Sequence, residues 1–378
     1  MMLVAVLSGC GSKEETPGVP LPAAEEVVKL GFAAPLTGSQ AHYGAEMRNG
    51  LTLAIDEANA AKPVIGGKPV RFELLAEDDQ ADPARGGVVA QKLVDAGIKG
   101  MLGHFNSGTS IPASRVYAEA GVPQLAMATA PAYTASGFKT TFRMMTNDAQ
   151  QGSVLGRFAV EKLGAKRIAV VDDRTAYGQG LADQFEAAAK AAGAEIVKRE
   201  FTGDKATDFA AILTSIRKEK PDAVFFGGAD AQAGPIARQM QQLGLKARLL
   251  GGEMVKSANY LKLAGGAAEG TVASLAGLPL DRMPGGAEYA TRYKAKFGAE
   301  VEVYSPYAYD GAMTLIDAMK RAGSTEPARY LPELARTQRA GVTSASIAYD
   351  EKGDLRAGTI TVYEVAGGEW KVLEAVGH

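Results

Sequence analysis

From residue 27 onward, short apolar runs alternate with amphipathic stretches, and the alternation starts again near residue 150. No other feature of the sequence constrains the fold as strongly. Residues 27–33 read as a strand, and residues 44–60 then place Met47, Leu51, Ala54, Ile55 and Ala58 on one helical face. Residues 71–76 form the next strand. Asp82-Pro83 opens a helix, with Asp as N-cap and Pro in the first turn, and this helix is expected to turn Val88, Val89 and Leu93 inward. Residues 98–102 and 124–127 are further strands. In the second run, residues 167–171, 194–198, 223–226 and 248–250 read as strands. The helices between them carry Leu181, Phe185, Ala188 and Ala192, then residues 209–218, then Ile236, Met240 and Leu243. Strand–helix alternation means a parallel sheet covered on both faces, and two runs mean two lobes of similar architecture. A chain of 378 residues is long for one core and natural for two. The C-terminal part departs from the pattern. Residues 289–297 and 307–321 read as helices, and 359–365 with 370–373 as a hairpin turned at Gly367-Gly368.

The N-terminus suggests where the chain works. An apolar run, MMLVAVL, leads into Leu7-Ser8-Gly9-Cys10. Small residues before a cysteine, after an apolar stretch, suit signal-peptide processing. The four residues resemble the bacterial lipoprotein motif, which implies a cut before Cys10 and a lipid on its sulfur. Residues 11–26 are charged and Pro-rich and read as a flexible tether. No later segment has 18 uninterrupted apolar residues.

Several function classes fall away. A formal net charge of -2 without a long basic run argues against nucleic-acid binding. A single cysteine forbids an internal disulfide and a thiolate metal cluster. His42, His104 and His378 are scattered without ligand spacing, so no metal is expected. The fingerprints GxGxxG in its strand–helix context, GxxxxGK[ST] and GxSxG are absent. His104 near Ser107 could be half a triad, but a histidine ending a strand more commonly packs or makes a local hydrogen bond. The carboxylates at 77–79 and 172–173 follow strands directly, where they read as solvated strand ends or helix caps. No cofactor and no enzymatic activity is expected.

Sheets of this kind bind ligands beyond the carboxyl ends of their strands. Two loops of the first run stand there. Gly103-His104-Phe105-Asn106-Ser107-Gly108-Thr109-Ser110 follows a strand, and Pro112 suggests that a helix begins at once. Helix N-termini present free N–H groups that hold anions, and Ser107 would add a hydroxyl; equally, Ser107 or Ser110 could simply cap the helix. Ala126-Met127-Ala128-Thr129-Ala130-Pro131 offers small side chains and the Thr129 hydroxyl. The second run contributes Ala176-Tyr177-Gly178 and Gly251-Gly252-Glu253, whose carboxylate could meet a cation left uncovered by the first lobe.

These segments, in order, resemble the leucine/isoleucine/valine-type periplasmic binding proteins of ABC transporters. The resemblance covers nearly the whole chain after residue 27. It includes residues 31–38, Tyr43-Gly44, Asp78-Asp79 with Asp82-Pro83, Gly103-His104 with Ser107, residues 128–131, residues 177–180, Gly227-Gly228, Gly251-Gly252-Glu253, Tyr309-Asp310-Gly311 and residues 349–354. It implies the α/β fold of type I periplasmic binding proteins: two Rossmann-like lobes joined by a three-crossover hinge near Asn147, Leu275 and Ile360. Lobe 1 would comprise 27–146 and 276–360, and lobe 2 would comprise 147–275 and 361–378. It implies that Ser107 and Thr129 bind a ligand carboxylate. The Met127 carbonyl, the Thr129 hydroxyl and Glu253 would receive its ammonium. Tyr177 would close over it, and Tyr43, Phe105 and Asn106 would surround its side chain. The implied ligand is a small amino acid, aliphatic or branched-chain, the implied partner an ABC permease, and the implied state a lipid-anchored, extracytoplasmic monomer. Two departures, polar Asn106 and small Ala229, open the pocket to a polar or larger side chain. A ligand sensor of the same fold, or a binder of an amide or aromatic acid, are the other readings. An aromatic-acid binder would not require Glu253.

Overall fold

A computed structural model describes residues 25–377; the Cys10 motif, most of the expected tether and His378 lie outside the described residues. The strands are β1 (Glu26–Ala34), β2 (Val64–Ile65), β3 (Lys68–Asp78), β4 (Gly100–Gly103), β5 (Gln124–Ala126), β6 (Thr141–Arg143), β7 (Arg167–Asp172), β8 (Glu195–Phe201), β9 (Ala223–Gly227), β10 (Arg248–Gly251), β11 (Val272–Ala276), β12 (Gln338–Arg339), β13 (Ile347–Ala348), β14 (Thr359–Ala366) and β15 (Glu369–Gly377). The helices are α1 (Ala41–Ala60), α2 (Pro83–Asp95), α3 (Ser107–Glu119), α4 (Ala132–Ala135), α5 (Asp148–Glu161), α6 (Ala176–Ala191), α7 (Ala210–Lys218), α8 (Asp230–Gln242), α9 (Ala258–Ala264), α10 (Gly286–Phe297), α11 (Ser305–Ala322) and α12 (Pro327–Ala335).

Two large sheets carry the fold, in the orders β2-β3-β1-β4-β5-β6 and β15-β14-β11-β10-β9-β7-β8. The pairs among β1, β3, β4, β5 and β6 are parallel, as are those among β7 to β11; β14 and β15 add an antiparallel edge to the second sheet. Gly367 and Gly368, both at positive φ, turn the β14–β15 hairpin. The chain passes between the sheets three times: after β6, after β11 and before β14.

The period of two in the strands decides which side chains meet. Val28, Leu30, Phe32 and Ala34 of β1 face the core shared with α1 and α11, whereas Ala33 points to the opposite core with Val89, Leu93 and Tyr117. In β7, Ile168 and Val170 pack with Leu155 and Phe185, while Ala169 and Val171 join the core under α7 and α8. One expectation is corrected. Val88 is 71% exposed, and the buried face of α2 is Gly86, Val89, Ala90 and Leu93. Successive helical residues are rotated by about 100°, so Val89 and Leu93, four apart, share a face that Val88 leaves.

Candidate ligand-binding site

α3 follows β4 after only His104, Phe105 and Asn106, and begins at Ser107 rather than at Pro112, which falls inside the helix. Its first turn therefore aims at the carboxyl ends of the first sheet. Neither serine caps it. Asn106 holds the N-cap position without a capping bond, and the Ser107 hydroxyl instead accepts from the Ala130 amide at 3.2 Å. That bond ties the start of α3 to the loop after β5. His104 is buried, with Nδ1 2.7 Å from Asp79 and Nε2 3.2 Å from the Tyr117 hydroxyl. Both ring nitrogens are thus occupied, and Asp79, expected at a solvated strand end, is buried beneath the loop as the partner of Nδ1.

The loop after β5 is held by a residue that sequence reasoning passed over. Arg143, at the end of β6, has a fully buried side chain. It donates to the carbonyls of Ala128 and Ala130, to the Thr134 hydroxyl and, at 2.7 Å, to Asp354. These bonds fix the backbone on both sides of Thr129. The Asp148 amide at the start of α5 donates to the Thr129 carbonyl at 2.9 Å. No sequence motif marks an arginine that closes a β–loop span from within a three-residue strand.

The second sheet contributes from the opposite side. Thr175 caps α6 by accepting from the Gly178 amide at 2.9 Å, which presents Tyr177 in the first turn. Glu253 follows β10 directly, is buried, and accepts from the Gln151 amide of α5. Gly252 is required by close approach: a Cβ there would stand 2.5 Å from the Tyr177 hydroxyl and 2.3 Å from Leu181 Cδ2.

These elements enclose a cavity of about 230 Å³ lined by Phe105, Asn106, Ser107, Met127, Thr129, Tyr177, Glu253, Met254 and Tyr304. Its room for a water-sized sphere is only about 10 Å³, far below the roughly 300–1,000 Å³ of pockets that take drug-sized ligands, so a ligand enters only when the surrounding groups move apart. Larger depressions, of about 950, 970 and 1070 Å³, lie on outer surfaces away from these loops. The enclosed cavity is the better candidate because polar groups of both sheets converge on it. Seven of the eight expected ligand residues line it. The eighth, Tyr43, stands one layer behind, stacked on Phe105 at 5.2 Å and donating to the Met254 carbonyl at 2.6 Å. Met254 and Tyr304 were not anticipated. Tyr304 precedes α11, more than a hundred residues beyond the cavity's first-sheet loops, and meets Phe105 edge-on at 4.8 Å. Ala229 is buried but does not line the cavity.

The electrostatics are one-sided. Burial pushes the Glu253 carboxyl above its ordinary value, against the hydrogen bond from Gln151. Burial, and then the charge of Glu253, push Asp148 up as well. Neither oxygen of the Asp148 side chain has a partner, nor does the Tyr177 hydroxyl. A small cation placed between these groups would relieve a desolvated negative site. At the other end, the Ser107 and Thr129 hydroxyls and the start of α3 are suited to an anion. Among the described residues no cluster of histidine, cysteine and carboxylates could hold a metal ion, and no helix is long and apolar enough to cross a membrane.

Comparison with known proteins agrees with this geometry. The chain is 36% identical over 338 residues to the Leu/Ile/Val-binding protein homolog 1 of Brucella melitensis, covering 89% of this chain and 90% of that one. It is 33% identical over 344 residues to the leucine-, isoleucine-, valine-, threonine- and alanine-binding protein of Pseudomonas aeruginosa, covering 90% of each. The branched-chain amino acid transporter substrate-binding protein of Streptococcus pneumoniae, solved with isoleucine, superposes with a TM-score of 0.82 at 26% identity, over 93% of this chain and 99% of that one. A family model described as periplasmic binding protein matches residues 27–369. The chain belongs to the periplasmic binding protein family, and it is an extracytoplasmic binding protein rather than an enzyme.

Proposed function

We propose that this chain is the solute-binding component of an ABC uptake transporter and that it holds a small aliphatic α-amino acid, of the branched-chain type, between its lobes. The observation that carries this reading is the polarity of the enclosed cavity: hydroxyls and a helix start on one lobe, the buried Glu253 carboxylate with Asp148 near it on the other. A buried zwitterion needs donors at one end and acceptors at the other, because an unpaired buried charge costs several kcal/mol, roughly. Ser107 and Thr129 take the ligand carboxylate. The Met127 carbonyl, the Thr129 hydroxyl and Glu253 take the ammonium, and Tyr177 covers it. Phe105, Met254 and Tyr304 pack around the side chain, with Tyr43 behind them. Asn106 gives the apolar end one polar group, which would admit a hydroxyl-bearing side chain. The names of the relatives support the ligand class, and the isoleucine bound to the Streptococcus homologue supports it further.

The lobes are 27–146 with 276–360, and 147–275 with the chain from 361 onward. The three passages between them form the hinge, and a membrane permease reads the closed form. Cys10 carries a lipid that tethers the protein to the membrane through residues 11–26. Calorimetry with leucine, isoleucine, valine and benzoate tests the ligand. Glu253→Gln should weaken binding of an amino acid by about 2 kcal/mol or more, because it removes the buried counter-charge of the ammonium. Binding of benzoate alone, indifferent to Glu253, would overturn the assignment.

A further inference from the structure

The lobes also meet through two ionisable side chains that do not line the cavity. His42 stands in the first turn of α1, next to Tyr43, and Asp230 is the first residue of α8. His42 Nε2 lies 3.0 Å from Asp230 Oδ2. The Asp230 side chain is fully buried, and the His42 side chain is 30% exposed. Asp230 is fixed from its own lobe. The Ser257 hydroxyl donates to Oδ2 at 2.6 Å, and the Asp230 amide donates to the Met254 carbonyl at 3.1 Å. Tyr43, from the other lobe, donates to that same carbonyl at 2.6 Å. The pair is therefore tied to the cavity through Met254, a lining residue whose carbonyl accepts from the Asp230 amide and from the Tyr43 hydroxyl. Asp230 Oδ1 has no hydrogen-bond partner among the described residues, and its charge faces the start of α8, Ser257 and His42.

We propose that His42 and Asp230 form an ion pair across the cleft that stabilises the closed form when His42 is protonated, so that closing on a ligand takes up a proton. Glu46, one turn along α1, and Glu302, before α11, also face the imidazole. Lys256, in the turn after β10, faces those same two carboxylates, and the Tyr43 ring lies 3.8 Å from the His42 ring. Burial of the ring opposes its charge, but Asp230, then Glu302 and Glu46, outweigh burial and hold His42 above the ordinary histidine value. Opening the cleft removes Asp230, because it belongs to the other lobe. The sign follows. The pair's contribution to closure is complete below the open-form pKa of His42 and is lost as pH rises through the higher closed-form value. Each pKa unit between the two forms is worth about a factor of ten in the closing equilibrium. Glu253 and Asp148 act at the acid side and in the opposite sense, and their effect is common to the wild type and a His42 variant.

The ligand arm of the test rests on the amino-acid reading; the ligand-free arm does not. A fluorophore pair, one on each lobe, reports closure of the full soluble chain from about pH 5.5 to about pH 8. With leucine, the wild-type affinity relative to that of His42→Gln should fall as pH rises through the upper part of that range. Asp230→Asn should reproduce the flat profile. Equal profiles for the wild type and both variants overturn the pair and leave the amino-acid reading intact. If no amino acid closes the cleft, that reading fails, and the ligand-free open–closed distribution decides. A pH-dependence present in the wild type and absent in His42→Gln supports the pair, and identical distributions overturn it.

Discussion

Arg143 illustrates how a residue outside the cavity shapes it. Its guanidinium is buried and donates to four acceptors: the Ala128 and Ala130 carbonyls and the Thr134 hydroxyl, in and just after the loop that displays Thr129, and the Asp354 carboxylate, whose side chain is 16% exposed. Breaking a buried pair by removing one partner costs about 3–5 kcal/mol. Asp354→Ala should lower the urea midpoint accordingly and loosen the Ala128–Ala130 backbone, so that ligand affinity falls with stability. Gly252 is a different kind of constraint. A methyl group there meets the Tyr177 hydroxyl and Leu181. Gly252→Ala should lower stability by about 1–3 kcal/mol, the usual cost of overpacking, and weaken binding by displacing Tyr177, with far-UV circular dichroism unchanged. Glu253 was legible in the sequence as a carboxylate on a glycine-rich turn. Arg143 was not, because its role exists only once β6 lies beside β5 and the segment at 354 folds back over both.

At the scale of elements, the helical period of the sequence named the right helices but not always the right face. α2 shows why. Val88, Val89 and Leu93 are all apolar, yet only the pair four residues apart reaches the core of Ala33, Met101 and Tyr117. Leu93→Ala should cost about 2–5 kcal/mol by chemical denaturation, whereas Val88→Lys should stay within about 0.5 kcal/mol. The contact of α6 with β9 shows the opposite case, where small residues carry the information. A Cβ on Gly178 would lie 2.4 Å from the Gly227 carbonyl, and one on Gly227 would lie 2.2 Å from the Gly178 carbonyl. The two glycines let α6 approach the sheet closely enough to bring Tyr177 over the cavity. Both were noted in the sequence as parts of separate motifs. That they touch is a product of packing.

At the scale of the molecule, the cavity is built from both lobes, so on the proposed reading ligand and closure are linked: groups on both sides would contact the ligand only when the cleft is shut. The acid limb of that linkage follows from the raised Glu253 and Asp148 carboxyls. The pair must be ionised to receive an ammonium, and an ammonium lowers their pKa values. Affinity should therefore be lost as pH falls through the ligand-free values of the pair. A calorimetric series toward acid pH should show it, with the loss blunted in Glu253→Gln.

The order of strands and helices, the two lobes and the C-terminal hairpin were determined by the sequence itself, because period and turn chemistry are local properties read within about ten to twenty residues. The loops that line the cavity were legible for a related reason: parallel sheets expose the carboxyl ends of their strands, and hydroxyls or a carboxylate placed directly after a strand must stand there. Only the tertiary structure decided that Tyr304, from before α11, would face Phe105, and that His42 would meet Asp230 across the cleft. It also decided that Asp79 would be buried under His104. These partners are separated by 25 to 199 residues of chain, and no local pattern encodes which of many distant side chains the packing of two lobes brings together.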